Sequence, residues 1–146
     1  MSTEAHYYNV NLKWLEDRKG EINSPELEQT IEVATPPQFT KGIENIWSPE
    51  HLLTAAVNSC YMTTFLAIAE NSRLDYSAFD CNAKGKLEQV EGKFLMTEMI
   101  LEPILVINNE ADREKAERIL QKSEAACLIS NSIKSKVILS TTIILN

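Results

Sequence analysis

The stretch from Ser48 to Ser72 constrains the fold of this chain more than any other part of it. Ser48-Pro49-Glu50 is a helix start, with Ser at the N-cap, Pro at the first helical position and Glu in the first turn. A long helix is predicted from Pro49 to about Ser72. Its small and apolar residues, Leu52, Leu53, Ala55, Ala56, Val57, Met62, Phe65, Leu66, Ile68 and Ala69, fall on more than one face. That pattern belongs to a helix enclosed by other elements, so it is expected to be the central one. Thr54, Asn58, Ser59, Thr63 and Thr64 break up the apolar run and make it too polar and too short for a membrane span.

Extended segments flank this helix. Tyr7 to Trp14 alternates as a strand and Glu16-Asp17-Arg18-Lys19-Gly20 follows as a polar turn; Glu26 to Ala34 is a second strand, ended by Pro36-Pro37. Lys41 to Trp47 is read as a loop. After the helix, Ala78 to Gln89 and Lys93 to Ile107 form a candidate antiparallel pair around Val90-Glu91-Gly92, with Pro103 required at an edge or bulge because it has no N–H to donate. Asn109 to Asp112 offers caps for a second, amphipathic helix reaching about Ala126, and Val137 to Ile143 alternates as a last strand. The order predicts an α+β class: an antiparallel sheet with helices on one side, in one domain spanning residues 1–146.

The net charge of −7 excludes a nucleic-acid partner as an expectation, since phosphate binding needs clustered Lys and Arg. Met1 to Asn11 has no basic segment followed by an apolar one, so a cytoplasmic location without membrane association is expected. With two histidines and no CxxC or HExxH spacing, no metal site is expected. Three cysteines form an odd set unsuited to a structural disulfide framework, so any pair among them would be redox-active.

A free cysteine commonly serves as a small buried hydrophobe, and spacing alone leaves that reading open for Cys60 and Cys127. Their surroundings change the balance. Gly42, the helix start Trp47-Ser48-Pro49-Glu50-His51-Leu52, the run Thr54-Ala55-Ala56-Val57-Asn58-Ser59-Cys60 and the later Cys127-Leu128-Ile129-Ser130-Asn131-Ser132 together resemble the OsmC/Ohr family (osmotically induced and organic hydroperoxide resistance proteins). The resemblance implies an OsmC-like fold assembled as an intertwined homodimer. It casts Cys60 as the peroxidatic thiol, Cys127 as the resolving thiol, Glu50 as the motif carboxylate and Arg18 as the N-terminal arginine, with Lys19 as the alternative to Arg18. Leu128 departs from the family's usual proline after the resolving cysteine.

The chemistry gives these residue types a reason to occur together. A thiolate attacks the peroxide O–O bond, and an ordinary cysteine is mostly protonated at neutral pH. Cys60 lies about three turns into its helix, beyond the reach of the N-terminal partial charge, so a guanidinium oriented by a carboxylate would have to hold the anion. The sulfenic acid formed would condense with Cys127, and an external dithiol, with no bound cofactor, would reopen the disulfide; the resemblance implies a lipoyl group or a small thiol in that role. Ten residues of straight helix span about 15 Å, so Glu50 and Cys60 share one arginine only if the helix is irregular or the site is shared between two chains. Ile43, Ile46, Trp47, Tyr61 and Phe65 are candidate pocket residues suited to an alkyl or fatty-acid hydroperoxide, or else simply core. Cys81 reads as a strand residue without a catalytic role. The competing readings are a non-catalytic α+β dimer that binds an apolar ligand in the same cleft and an oxidant sensor without turnover.

Overall fold

The computed structural model describes residues 4–146. The chain folds as two compact units, one ending at Leu52 and the other running from Leu53 to Asn146.

In the first unit β1 (Asn11–Glu16), β2 (Lys19–Ser24) and β3 (Leu27–Ala34) form an antiparallel sheet in that order. β1 and β2 turn at Asp17-Arg18, where Asp17 takes a φ of 46°, a left-handed conformation that Asp tolerates, and Trp14 Nε1 donates to the Asp17 carbonyl at 3.0 Å. Two expectations shift here. Tyr7 to Val10 precede the first strand instead of opening it, and Lys19 to Ser24, of which Lys19 and Gly20 are expected in the turn and the rest in no element, form the middle strand. Ladder pairing on both sides holds that strand where its side-chain pattern does not. A Cβ on Gly42 would overlap the Pro36 carbonyl oxygen, so the loop after β3 closes only over glycine.

The helix α1 spans Pro49–Asn71, one residue short of the expected end. Ser48 caps it: the His51 N–H donates to Ser48 Oγ at 3.1 Å, while Ser48 Oγ and His51 Nδ1 lie 2.6 Å apart. At the other end Arg73 sits at φ 54°, and the Arg73 and Leu74 N–H groups return to the Glu70 and Ala69 carbonyls, both at 3.0 Å. This is a Schellman closure with buried Leu74 as its apolar contact.

In the second unit β4 (Tyr76–Val90) and β5 (Lys93–Ile107) form the expected antiparallel hairpin. Its two turn residues, Glu91 and Gly92, have φ of 50° and 81°, as a type I′ turn requires. The helix α2 covers Arg113–Ala126, after a 3-10 turn at Glu110–Asp112. Two strands follow where one was expected, β6 (Lys136–Leu139) and β7 (Thr142–Leu145), both parallel to β5, so this sheet is mixed. β5 is therefore central, and Pro103 lies in it fully buried, at neither an edge nor a bulge. The ladder tolerates it because β6 pairs with residues up to Leu101 and β7 only from Ile104, leaving the missing N–H in the break between them.

The core of this unit is a single stripe of α1, Val57, Tyr61, Phe65 and Ala69, packed with Met99, Leu101, Leu105 and Ile107 of β5 and with Ala116, Ile119 and Leu120 of α2. Phe65 stacks on Phe79 at 4.3 Å between centroids, and the Tyr61 hydroxyl donates to the Leu120 carbonyl at 3.0 Å. By length and composition α1 could cross a bilayer, but here it serves as the core helix of the unit. Only that stripe is fully buried, against the expectation of an enclosed helix: Leu53 and Ile68 are partly buried against the core, while Met62 and Leu66 each keep 40% of their surface exposed.

Candidate active site

Cys60 precedes the core residue Tyr61 on α1, so its side chain is rotated about 100° from the buried stripe and ends half-buried at the margin of the core. Thr64, one turn further on, places its hydroxyl 4.0 Å from the Cys60 sulfur. The other wall is the segment after α2. Cys127 ends that helix in an extended conformation, φ −67° and ψ 112°, with its N–H given to the Glu124 carbonyl at 3.2 Å. The chain then tightens into a 3-10 turn, Ser130–Ser132.

That turn is pinned through its carbonyls. Asn131 N–H donates to the Cys127 carbonyl and Ser132 N–H to the Ile129 carbonyl, both at 3.0 Å, and Ser132 Oγ donates to the Leu128 carbonyl at 2.8 Å. Asn131 Nδ2 reaches back to the Ala125 carbonyl at 3.2 Å. Asn131 organises the turn, whereas Ser130 does not. The Ser130 hydroxyl is buried without a conventional hydrogen bond and faces the Cys127 sulfur; Ser132 ties the turn in its place.

The two cysteines named from the sequence thus lie side by side, both as free thiols, Cys127 fully buried. Their acidities move apart. At Cys60 burial acts to raise the pKa, but the Ile129 N–H, the Cys127 thiol, the Thr64 hydroxyl and the Leu128 N–H all favour the anion, and the net direction is down. At Cys127 burial is also the largest influence; the hydroxyl and N–H of Ser130 oppose it, the neighbouring Cys60 sulfur reinforces it, and the net direction is up. The pair therefore holds its first negative charge on Cys60 and keeps the proton on Cys127.

Cys81 is the contrast. It sits half-buried on β4 opposite Pro103, and burial, with the Glu102 carboxylate adding to it against a hydrogen bond from the Glu102 N–H, pushes its thiol up to about 11. Asn58 Nδ2 donates to the Cys81 carbonyl at 2.9 Å and fastens α1 to β4. Neither that tether nor Thr64 was singled out from the sequence, although Thr64 stands at the i+4 position from Cys60 that marks a helical neighbour.

The remaining candidates occupy other places. Arg18 is exposed at the β1–β2 turn, its guanidinium in no ion pair among the described residues; Lys19 is engaged by Glu32 at 3.5 Å and Glu16 at 3.8 Å. Glu50 is partly buried in the first turn of α1. Ile46 and Trp47 line an open hollow of about 540 Å³ with Pro37, Gln38, Glu44, Asn45 and His51, and Ile43 is half-buried in the preceding loop. Tyr61 and Phe65, also expected at a pocket, are core residues with no exposed surface, and their packing realises the alternative that their apolar character had left open. Burial holds the Tyr61 phenol far above its ordinary pKa, as a neutral donor.

Comparison with known proteins places this arrangement. The family model described as OsmC-like protein matches residues 40–142. The uncharacterized protein YmaD of Bacillus subtilis (strain 168) is 26% identical over 137 residues, 90% of this chain and 89% of that protein. An OsmC-like protein of unknown function from Vibrio cholerae superposes with a TM-score of 0.84 at 21% identity, over 94% of this chain and 99% of that one. An organic hydroperoxide resistance protein from Elizabethkingia anophelis, solved with thiocyanate bound, gives 0.75 at 20% identity, over 98% and 100% of the two chains.

Proposed function

Because the chain belongs to the OsmC-like protein family, we propose that it is a cytoplasmic thiol-dependent peroxidase that reduces organic hydroperoxides through Cys60 and Cys127. The observation that carries this reading is the pair itself: two reduced thiols close enough to shift each other's acidity, with donors that favour the anion on the half-exposed member. In the first step the Cys60 thiolate attacks the terminal peroxide oxygen, the O–O bond breaks, and the alkoxide takes up a proton to leave as an alcohol. The Cys60 sulfenic acid then condenses with the Cys127 thiol, forming the S–S bond and releasing water. An external dithiol or lipoyl group reduces the disulfide by exchange.

An organic peroxide is the proposed substrate, in keeping with the organic hydroperoxide resistance protein from Elizabethkingia anophelis that the fold resembles. Arg18, not the engaged Lys19, is the cation proposed to serve the thiolate, with Glu50 to orient it. Since α1 is unbroken from Pro49 to Asn71, an irregular helix does not supply that arrangement, and a site shared in a homodimer is proposed instead. The test is consumption of cumene hydroperoxide by the purified protein with a dithiol present. Turnover that survives Cys60→Ser would end the proposal, and disulfide formation without turnover would turn it into an oxidant sensor.

A further inference from the structure

We infer that one face of α2, together with the end of α1, is a binding site for a compact anion with two or more negative groups, a polycarboxylate or a phosphate compound. Lys115, Arg118 and Lys122 stand three and four residues apart on α2 and so share one side of that helix. With Ser72, just past the end of α1, they line a hollow of about 590 Å³ that also reaches the buried Ile119. Ser72 follows Cys60 by twelve residues along the same unbroken helix, which puts the hollow about 18 Å away from that sulfur's position on the axis. The site is therefore separate from the thiol pair.

Three cations in a row are unfavourable for the helix by itself. Lys115 and Arg118 at i,i+3, and Arg118 and Lys122 at i,i+4, are like-charge neighbours that repel. Among the described residues none of the three enters an ion pair or a side-chain hydrogen bond, and Glu114, one turn before Arg118, does not close on it. Glu117 also lines the hollow, but its carboxylate is held by other donors, Thr141 Oγ1 at 2.7 Å on one oxygen and Gln121 Nε2 at 3.1 Å on the other. The C-terminus of α1 contributes a further negative partial charge of about half an electron. Together these leave a positive surplus in a concave place, on a chain whose net charge is −7. Guanidinium and ammonium groups side by side recognise carboxylate and phosphate oxygens through charge-assisted hydrogen bonds. Lys115 and Lys122 are anchored about 10 Å apart along the helix, so a ligand with at least two anionic groups engages the set better than a monovalent one. The hollow has the volume of an ordinary ligand pocket, whereas three cations on two helical turns cover far less than the roughly 800 Å² that a protein partner buries on each side. The occupant is accordingly a small molecule.

The test is a titration of the intact, 15N-labelled protein with pyrophosphate, with citrate and with a hexaglutamate peptide, in separate arms. Pyrophosphate or citrate should give saturable shifts of the Ser72, Lys115, Arg118 and Lys122 amides, and the tighter of the two identifies the phosphate or the carboxylate source. Affinity should fall about tenfold in the double variant Arg118→Gln with Lys122→Gln, the loss expected for a charge-assisted hydrogen bond. Lys93→Gln, at the β4–β5 turn, should leave it unchanged. Arg118 and Lys122 are exposed and glutamine is a good helix former, so the double variant is expected to fold. A salt series on the native protein serves in its place if it does not: affinity should drop steadily from about 20 to about 200 mM salt. Shifts that grow without saturating, an affinity indifferent to salt or to the double substitution, or binding of the peptide alone would overturn the inference. None of these measurements involves Cys60 or a peroxide, so the peroxidase reading stands or falls separately.

Discussion

Cys60 and Cys81 belong to the same unit, are both half-buried, and differ in acidity in opposite directions. Cys60 stands on a helix beside a turn in which the Leu128 and Ile129 amides make no backbone hydrogen bond among the described residues, whereas Cys81 stands in a ladder whose amides are committed to neighbouring strands. Burial pushes both thiols up. What separates them is the balance of donors: two main-chain N–H groups, a thiol and a hydroxyl favour the anion at the first, whereas at the second a single N–H is opposed by a repelling carboxylate. Depth below the surface therefore says little about a cysteine's reactivity until the spare donors around it are counted.

The largest effect expected from this contrast is catalytic. Cys60→Ser should reduce hydroperoxide turnover to background, while Cys81→Ser should stay within about twofold of the native rate; a steady-state assay with cumene hydroperoxide and dithiothreitol separates the two. Next comes the partner thiol. With Cys127→Ser the first oxidation should proceed and stop at a Cys60 sulfenic acid, which a dimedone adduct on that peptide would report. An adduct on Cys81 instead would reverse the comparison.

A smaller effect tests the wall between α1 and β4 on the Cys81 side. A Cβ on Gly85 would overlap Thr54 Oγ1 and lie 2.7 Å from Met96 Cε, so Gly85→Ala should destabilise the fold by about 1–3 kcal/mol in a urea titration, the cost of overpacking. The smallest effect is the pH dependence of stability. A Cys60 pKa lowered from 9.0 means that the unfolded chain binds more protons just below that pH, so stability gained from this group rises with pH up to about 9 and is lost on going down through the folded value. Cys81 behaves oppositely. Its folded pKa of about 11 makes the unfolded chain ionise first, so stability falls between about pH 9 and 11, and Cys81→Ala should flatten its share of that alkaline loss while the raised Cys127 contributes the rest.

Much of this was legible in the sequence wherever local chemistry decides the structure. Ser48-Pro49-Glu50 fixed the start of α1 because capping and the absent proline N–H act within one turn. Glu91-Gly92 fixed the β4–β5 hairpin because few residue pairs accept two left-handed conformations. Cys60 and Cys127 were named from their surroundings and do lie together. What escaped was whatever depends on partners distant in the chain. β2 carries Glu21, Asn23 and Ser24 and owes its strand form to pairing on both sides. Pro103 escaped because its tolerance depends on a gap between two strands more than thirty residues later. The amides of Leu128 and Ile129 escaped because a backbone donor leaves no mark on residue identity.

The most direct test of the central claim is a peptide map of the intact, reduced protein after one equivalent of an organic hydroperoxide. The account predicts one new cross-link, between the peptides that hold Cys60 and Cys127, with Cys81 still open to alkylation. Three untouched thiols, or a bond that includes Cys81, would contradict it.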